Sequence, residues 1–368
     1  MIAGFSCRTV RLTSIGRRHC TTNRITAAVS SATTTAATGR PASQSPIIAA
    51  SFNSWQSRSQ ARFYSSSSSS PPKKKVAELN KLEAKMSAGK DYYLTLSCPD
   101  KPGIVHAVTG LLASQKLNIL DLQQFSDRTS ERFFMRVHFG HAESTAALDA
   151  PLAELSKELQ MDYDVRATSS KPRVLIMVSK IGHCLNDLLF RTKANQLGIE
   201  VPIIVSNHPD YRPLAESYGI EFHHLPVNKD TKLEQERQIL DLIKKHDIEL
   251  VVLARYMQVL SPGLCEAMSG KIINIHHSFL PSFKGAKPYH QAFDRGVKII
   301  GATAHFVTAD LDEGPIIEQR VARVDHSLSP KELVEEGSNV ESQVLAAAVK
   351  WWSEKKVFLN GHKTVVFN

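Results

Sequence analysis

Hydrophobic and polar positions follow two different patterns along the chain, and the first pattern covers residues 92 to 167. Short segments of alternating apolar and polar residues, typical of half-buried strands, are separated by stretches with helical spacing. The predicted elements are, in order, the strand Tyr92–Ser97, the helix Pro102–Leu112 with Asp100 as its N-cap, the strands Asn118–Gln124 and Arg132–Phe139, the helix Ser144–Leu159 and the strand Asp162–Ala167. This β-α-β-β-α-β order predicts a ferredoxin-like domain.

The second pattern begins after residue 172, where continuous runs of branched apolar residues alternate with amphipathic stretches such as Leu233–Lys245. The runs are Val174–Val178, Val201–Val205, Leu250–Leu253 and Ile272–His276, and the C-terminal part predicts the helix Pro330–Lys350 and a hairpin, Val357–Phe367, with its turn at Asn360-Gly361. Strands that are apolar on both faces are typical of doubly wound, mostly parallel α/β sheets. Such sheets bind ligands at the carboxyl ends of their strands, so we expect a site where Ile272–His276 ends.

The first 72 residues differ in composition from the rest of the chain. They contain eight arginines and no lysine, aspartate or glutamate, and they are rich in serine and threonine. This composition is typical of an organelle transit peptide, and Arg62-Phe63-Tyr64-Ser65 resembles a mitochondrial processing site, so we predict a location in the mitochondrial matrix. An ordinary disordered tail is the alternative. We therefore divide the chain into a disordered transit peptide (1–72), a linker (73–90) and two domains (91–168 and 172–368).

The net charge of +9 comes almost entirely from this leader. The rest of the chain has 37 basic against 36 acidic residues. It lacks the basic surface that binds phosphate backbones, so we expect no nucleic-acid partner. No apolar run approaches the roughly 20 residues of a membrane-spanning helix. The five cysteines are scattered without metal-ligand spacing, which indicates neither a disulfide framework nor a metal site.

Candidate chemistry lies in two segments of the second domain. In KIINIHHSFLPSFKGAKPY, residues 271–289, strand alternation sends Asn274 and His276 to one side and His277 to the other. An amide donor beside an imidazole can stabilise an oxyanion on a carbonyl carbon and move a proton. In GATAHFVTADLDEGP, residues 301–315, an acidic turn could bring a carboxylate to His276. From spacing alone, a satisfied polar residue at a strand end and an ordinary turn remain the alternatives.

The segments NIHHSFLPSFKG and DLDEGPI together resemble the motifs of the formyltetrahydrofolate-binding family. This family includes glycinamide ribonucleotide formyltransferase, methionyl-tRNA formyltransferase and formyltetrahydrofolate deformylase. Its catalytic Asn-x-His pair falls on Asn274 and His276, and its catalytic aspartate falls on Asp312. The resemblance therefore implies that these three residues are catalytic.

Within this family the chain is most similar to the deformylase branch, over nearly all of residues 91–368. The segment CPDKPGI, residues 98–104, is similar to the turn motif of the ACT domain that deformylases carry before the catalytic domain. The turn Ser179–Leu185 has one glycine and bulky neighbours, so it resembles neither a glycine-rich phosphate cradle nor the GxGxxG of NAD sites. The resemblance implies hydrolysis of 10-formyltetrahydrofolate to formate and tetrahydrofolate, with water as the acceptor and with no cofactor or metal.

Two alternatives to this function stay open. One is a formyltransferase that uses the same three residues with an amine acceptor. The other is a non-catalytic sensor of folate or of an amino acid. The leading interpretation places the chain in one-carbon metabolism and purine biosynthesis.

The resemblance also implies two binding regions. The pterin ring of the folate is expected against the backbone of one loop, made of Arg255, Tyr256, Met257, Gln258, Val259 and Leu260, where relatives commonly have arginine in place of Gln258. A small amino-acid effector is expected at the ACT domain, at a subunit interface of a homo-oligomer that includes Asp100, Gly103, Ile104, Asn118 and Ile119. For the loop, the alternative is an ordinary connection between a strand and a helix. For the ACT domain, it is an oligomerisation domain that binds no ligand.

Overall fold

The computed structural model describes residues 90–142, 144–281 and 288–368. The predicted transit peptide, 1–72, and all of the predicted linker except Lys90 lie outside the described residues. The division into domains at these boundaries stays a prediction. The described residues form two α/β units in succession along the chain.

The first unit is a four-stranded antiparallel sheet with two helices. Its elements are β1 (Lys90–Pro99), α1 (Ile104–Ser114), β2 (Asn118–Asp127), β3 (Arg132–Ala142), α2 (Ala146–Leu159) and β4 (Asp162–Ala167). The strand order is β2-β3-β1-β4. Alternate residues of β1 are buried against the helices, including Leu94, Leu96 and Cys98. The ferredoxin-like prediction is therefore confirmed.

One local prediction in this unit was wrong. Asp100 is not the N-cap of α1, because the helix begins at Ile104 and its N-cap is Gly103, in the left-handed region with φ 95°. Glycine adopts this conformation without the steric cost that a side chain brings. Asp100 instead accepts a hydrogen bond from the hydroxyl of Ser126, at the end of β2.

The second unit is built on a seven-stranded sheet of order β11-β10-β9-β8-β5-β6-β7. Its elements are β5 (Arg173–Val178), α3 (His183–Lys193), β6 (Glu200–Ser206), α4 (Arg212–Ser217), β7 (Glu221–His224), α5 (Lys232–Lys245), β8 (Leu250–Leu253), α6 (Pro262–Ala267), β9 (Ile272–His276), α7 (Pro288–Asp294), β10 (Ile299–Phe306), β11 (Ile316–Arg323), α8 (Pro330–Ser353), β12 (Val357–Asn360) and β13 (Lys363–Val366). Strands β5 to β9 pair in parallel, whereas β10 and β11 add an antiparallel edge. The doubly wound, mostly parallel prediction is confirmed.

Helices cover both faces of this sheet, as the apolar runs require. Val174 and Ile176 belong to the core that β5 shares with α3 and α8, whereas Leu175 and Met177 belong to the core shared with α5 and α6. From β5 the chain winds to β6 and β7 on one side and then returns to β8 and β9 on the other. The point where the winding reverses therefore lies between β5 and β8.

The C-terminal elements agree with the sequence, with one shift. Asn360 pairs with Lys363, so the two-residue turn of the β12–β13 hairpin consists of Gly361 and His362, one residue later than predicted. Gly361 has a φ of 62°, a conformation that favours glycine. None of the helices in the described ranges has the length and apolar character needed to cross a membrane.

Candidate active site

Strand β9 delivers Asn274 and His276 to one cavity at the carboxyl end of the parallel strands. The strand is buried because β8 and β10 flank it on both sides. His276 is 6% exposed, and Asn274 is half-buried. The two side chains line the same cavity, as strand alternation predicted.

The acidic turn between β10 and β11 brings Asp312 to the same cavity. Asp312 has a φ of 58°, a left-handed conformation that Asp tolerates better than most residues. Gly314 closes the turn, since a Cβ there would lie 1.8 Å from the carbonyl oxygen of Phe306. A side chain at position 314 would therefore push the turn, and Asp312 with it, away from β10.

His276 and Asp312 form a close pair. The Nδ1 atom of His276 lies 3.2 Å from Oδ2 of Asp312. The hydrogen bond from His276 lowers the pKa of the Asp312 carboxyl below its usual range, although burial opposes this shift. With Nδ1 donating to Asp312, Nε2 is the ring nitrogen left for chemistry, and it has no hydrogen-bond partner among the described residues.

His305 is a member of the site that the sequence interpretation missed. Its Nδ1 lies 2.8 Å from the carbonyl oxygen of Phe306, so Nδ1 is the donor. Burial lowers the pKa of His305, so the ring is neutral and its Nε2 accepts a hydrogen bond from Nδ2 of Asn274, at 3.2 Å. The signal was the register of β9 against β10, which pairs His305 with Asn274.

His277 does not face away from the site, as strand alternation predicted. It follows the last residue of β9, where the alternation ends, and it lines the same cavity as His276. The two rings lie 5.2 Å apart between centroids. Burial and, secondarily, the nearby Arg255 guanidinium lower the pKa of His277 to about 4, so this ring is neutral near neutral pH.

The cavity has a volume of about 340 Å³ and is lined by all nine residues predicted for catalysis and folate binding. They are Asn274, His276, Asp312, Arg255, Tyr256, Met257, Gln258, Val259 and Leu260. A larger cavity of about 620 Å³, between the first sheet and α8, contains none of them. The smaller cavity is therefore the candidate active site.

The loop at 255–260 divides into buried and exposed side chains. Arg255, Tyr256 and Leu260 are buried, whereas Met257 and Val259 are more than half exposed and Gln258 is also exposed. The amide of Met257 already donates to the hydroxyl of Ser179, at 3.1 Å. That N–H is therefore engaged by the protein, and any backbone contact to a pterin ring would come from its neighbours in the loop.

The five candidate residues for an amino-acid effector do not come together within one chain. Asp100, Gly103 and Ile104 follow β1 beyond the end where Pro99 pairs with Arg132. Asn118 and Ile119 begin β2 at the opposite end, where the partners are Gly140 and Phe139. At about 3.3 Å per residue along β1, the two groups are roughly 25 Å apart.

Two groups of side chains among the described residues bring possible metal-ligating atoms within 4.8 Å of one another. One group is His183, Cys184 and Glu341. Burial raises the pKa of the Cys184 thiol, which therefore stays protonated, and Nε2 of His183 is already 2.8 Å from Glu341. The other group is Glu221, His223 and His246, none of which lines the cavity. The prediction of no metal stays a prediction.

Comparisons with known proteins give the same two units. A family model described as Formyl transferase matches residues 172–349, and one described as ACT domain matches residues 92–156. A formyltetrahydrofolate deformylase of Corynebacterium sp. (strain P-1) is 53% identical over 76% of this chain and 99% of the relative, and that of Bacillus subtilis (strain 168) is 45% identical over 75% and 93%. The crystal structure of a formyltetrahydrofolate deformylase from Burkholderia mallei has a TM-score of 0.74 and 53% identity, and the match covers 76% of this chain and 100% of that one.

These matches also correct the prediction about location. The relatives are enzymes of bacteria, including Corynebacterium, Bacillus subtilis and Escherichia coli, and bacteria have no mitochondria. The predicted mitochondrial matrix location is therefore wrong by this comparison. The transit peptide assigned to residues 1–72 has no support from it either.

Proposed function

The chain belongs to the formyltetrahydrofolate deformylase family, and we propose that its Asn274, His276 and Asp312 catalyse the hydrolysis of 10-formyltetrahydrofolate to formate and tetrahydrofolate. The observation that carries this proposal is the His276–Asp312 pair, at 3.2 Å, beside Asn274 in one cavity. The reaction serves one-carbon metabolism and purine biosynthesis, and it uses no cofactor.

The attack of water on the formyl carbon is the first chemical step. A carboxylate has about four lone-pair sites, so Asp312 can hold a water while it accepts the hydrogen bond of His276. Attack turns the formyl oxygen into an oxyanion. Two groups donate to that oxyanion. They are the Nε2 of a protonated His276 and the N–H of Asn274 that is not bonded to His305.

The collapse of the tetrahedral intermediate is the second step. The bond between the formyl carbon and N10 breaks, and N10 takes a proton from the acid-base pair as formate leaves. Asp312 remains close to Nδ1 of His276 through this step and so keeps Nε2 directed at the reacting atoms. The attacking water gives one proton to the His276–Asp312 pair, which replaces the proton that N10 takes, and the acid proton of formic acid goes to solvent.

The two alternative functions are less favoured. A formyltransferase would need an amine acceptor, whereas the relatives that cover nearly the full described chain carry the name deformylase. A non-catalytic sensor would not require the His276–Asp312 pair with a donor amide beside it. Both alternatives would leave 10-formyltetrahydrofolate intact when water is the only acceptor.

The ACT domain supports regulation by a small amino acid in a homo-oligomer. Because the two groups of candidate residues lie at opposite ends of the sheet, they can form one site only across two copies of the chain. Strand β2 is an edge strand, with Leu120 and Phe125 each 47% exposed. Such an edge offers unpaired backbone groups to a second copy.

The test is release of formate by the purified full chain from 10-formyltetrahydrofolate in water, without an amine. Stoichiometric formate and tetrahydrofolate are expected, and Asp312→Asn should abolish them. The matched control is Asp325→Asn. Asp325 is an exposed aspartate after β11, and among the described residues its carboxylate bonds only to Ser327. Binding of the folate without any formate would contradict the hydrolase.

A further inference from the structure

The crevice at the winding reversal of the second sheet is filled by side chains. Doubly wound folds bind ligands in the crevice where the winding reverses, which in this chain lies between the carboxyl ends of β5 and β8. The turn after β5 leads to His183, and β8 leads to Arg255. The catalytic cavity itself lies to one side, along β8, β9 and β10.

Glu341 of α8 occupies the centre of this crevice. Its side chain is 1% exposed and contacts two residues of other helices and one of the loop after β8. Nε2 of His183 lies 2.8 Å from Oε2, the hydroxyl of Tyr289 donates to Oε1 at 2.6 Å, and Nε of Arg255 lies 3.5 Å from Oε2. We call these four residues the Glu341 cluster.

The cluster holds one buried negative charge against one buried positive charge. Burial works to raise the pKa of Glu341, but His183, Arg255 and Tyr289 together hold it below its usual range, so the carboxylate is ionised. Arg255 is 8% exposed, and its Nε and Nη1 have no hydrogen-bond partner among the described residues. Glu341 is therefore the counter-charge of this guanidinium, and each residue fixes the other in the crevice.

Two glycines bring the surrounding rings into close contact with the backbone. A Cβ at Gly337 would lie 2.2 Å from the ring of Tyr289, and a Cβ at Gly182 would lie 2.2 Å from the ring of Tyr211. The hydroxyl of Tyr211 donates to the carbonyl oxygen of Lys180, in the turn after β5. The rings therefore lie directly on α8 and on this turn.

The cluster lies behind the catalytic histidine, and Arg255 is its member that lines the cavity. The ring of His277 lies 5.2 Å from that of His276 and 6.2 Å from that of Tyr289, between centroids. The contacts run from His276 through His277 and Tyr289 to Glu341. An acceptor approaching the formyl carbon from the winding reversal would meet this cluster.

Taking the proposed hydrolysis as given, we propose that the Glu341 cluster determines the acceptor by excluding amines from the crevice beside the formyl carbon. Water is small enough to reach the carbon, and its attack breaks the C–N10 bond and yields formate. A primary amine in the same position would form a new C–N bond, break the C–N10 bond, give its proton to N10 and leave as an N-formyl amine. Arg255 and Glu341 are specificity-determining residues, and His183 and Tyr289 position them.

The experiment measures how the formyl group divides between water and an amine. The full chain is given saturating 10-formyltetrahydrofolate and a weakly basic primary amine, glycine methyl ester, and both formate and the N-formyl ester are quantified. The test variant is Arg255→Gly with Glu341→Gln, which removes both buried charges together, and glycine suits the φ of 63° at position 255. The control is Arg237→Gln with Glu234→Gln, an exposed ion pair on α5.

The wild type and the control are expected to give formate alone. The double variant should raise the formylated share by roughly tenfold or more, which is the discrimination that one poorly fitting group supplies. This share does not depend on the fraction of enzyme that is folded. If the double variant does not fold, Tyr289→Phe decides, because it removes only the hydroxyl that holds Glu341 and should also raise the share.

Several results would overturn the inference. A wild type that formylates the amine as readily as it hydrolyses 10-formyltetrahydrofolate would overturn it. A double variant that turns over and still yields only formate would also overturn it. If the double variant does not fold, an unchanged share of formylated amine in Tyr289→Phe would overturn the inference. Failure of the wild type to release formate without amine would instead contradict the proposed hydrolysis itself.

Discussion

At the scale of single residues, the two N–H groups of Asn274 have different partners. One donates to His305, and the other is the proposed donor to the oxyanion in the cavity that Asn274 lines. Loss of one such donor costs about two to three powers of ten in rate. We therefore predict that Asn274→Ala lowers kcat by roughly 100- to 1,000-fold, measured as formate release at saturating substrate.

The comparison variant is Asn274→Asp, which keeps the size of the side chain and replaces its donors by acceptors. It should be as inactive as the alanine variant. KM should change little in both, because the donor acts on charge that develops in the transition state. A kcat for Asn274→Ala within threefold of the wild type would rule out the oxyanion role.

His277 makes the stability of the protein depend on pH. Its pKa lies at about 4 in the folded chain, whereas an unperturbed histidine has 6.5. Between these values the unfolded chain binds a proton that the folded chain excludes, so the free energy of unfolding decreases as the pH falls from 6.5 to 4. We predict that His277→Asn reduces this loss by about 3 kcal/mol, measured by urea unfolding at several pH values.

The measurement compares slopes against pH, so any packing cost of the substitution at neutral pH cancels. His362→Asn, in the exposed turn of the β12–β13 hairpin, is the matched control and should leave the slope as in the wild type. An unchanged slope in His277→Asn would show that other groups, such as the buried His305, account for the acid instability.

The residues of the site that could be predicted are those that belong to a recognisable local segment. Asn274 and His276 follow from strand alternation, and Asp312, in the turn between β10 and β11, follows from the family resemblance of its motif. His305 was missed because its role depends on the pairing of β9 with β10, which no local pattern encodes. Glu341 was missed for the same reason, since α8 brings it to Arg255 only in the folded chain.

At the scale of elements, α8 depends on its N-terminal cap. Ser329 and Glu332 form a capping box, in which each side chain bonds to the backbone of the other residue. Removing such a cap costs about 1 kcal/mol. We predict that Ser329→Ala lowers the free energy of unfolding by about 1 kcal/mol, measured by urea denaturation.

Ser338 of the same helix provides the control. Its hydroxyl bonds to the carbonyl oxygen of Val334, one turn earlier, where it satisfies no free N–H. Alanine has the higher helix propensity, so Ser338→Ala should be neutral or slightly stabilising. Equal losses in both variants would mean that the capping box contributes nothing beyond the general effect of removing a hydroxyl.

The elements that sequence patterns predicted well are those with uniform burial. The continuous apolar runs at β5, β6, β8 and β9 are covered on both faces, so their composition alone marks them as strands. Strand β11 is exposed at half of its positions, is fully buried at only one, and carries no such run. Its antiparallel pairing with β10 follows from the return of the chain after the acidic turn. The hydrophobic pattern of the sequence does not predict that return.

At the scale of the whole molecule, the first sheet is fastened to the end of the second unit. Arg136 of β3 donates from Nε to the carbonyl oxygen of Glu354, at 3.0 Å, just after α8 ends. Lys355 pairs with Asp164 at 2.8 Å. Because α8 also carries Glu341 to Arg255, one helix joins the first sheet to the Glu341 cluster.

Arg136 is a buried contact of this junction. It is 3% exposed, bonds through Nη1 to Asp121 at 3.2 Å, and its guanidinium lies 4.2 Å from the ring centre of Tyr93. Two hydrogen bonds from a charged donor contribute about 3 kcal/mol, so we predict that Arg136→Ala lowers the free energy of unfolding by about that amount. Urea unfolding of the full chain measures it.

The same substitution should also loosen the coupling between the two units. With the junction weakened, the first sheet is expected to unfold at a lower urea concentration than the second unit, so one transition separates into two. The control is Arg132→Ala, on the same strand. The side chain of Arg132 is 38% exposed and that of its partner Asp162 is 92% exposed. This substitution should lower the free energy of unfolding by less than about 1 kcal/mol and keep a single transition. If the two arginines gave equal losses, the junction would rest on the general packing of the sheet and not on the bond to Glu354.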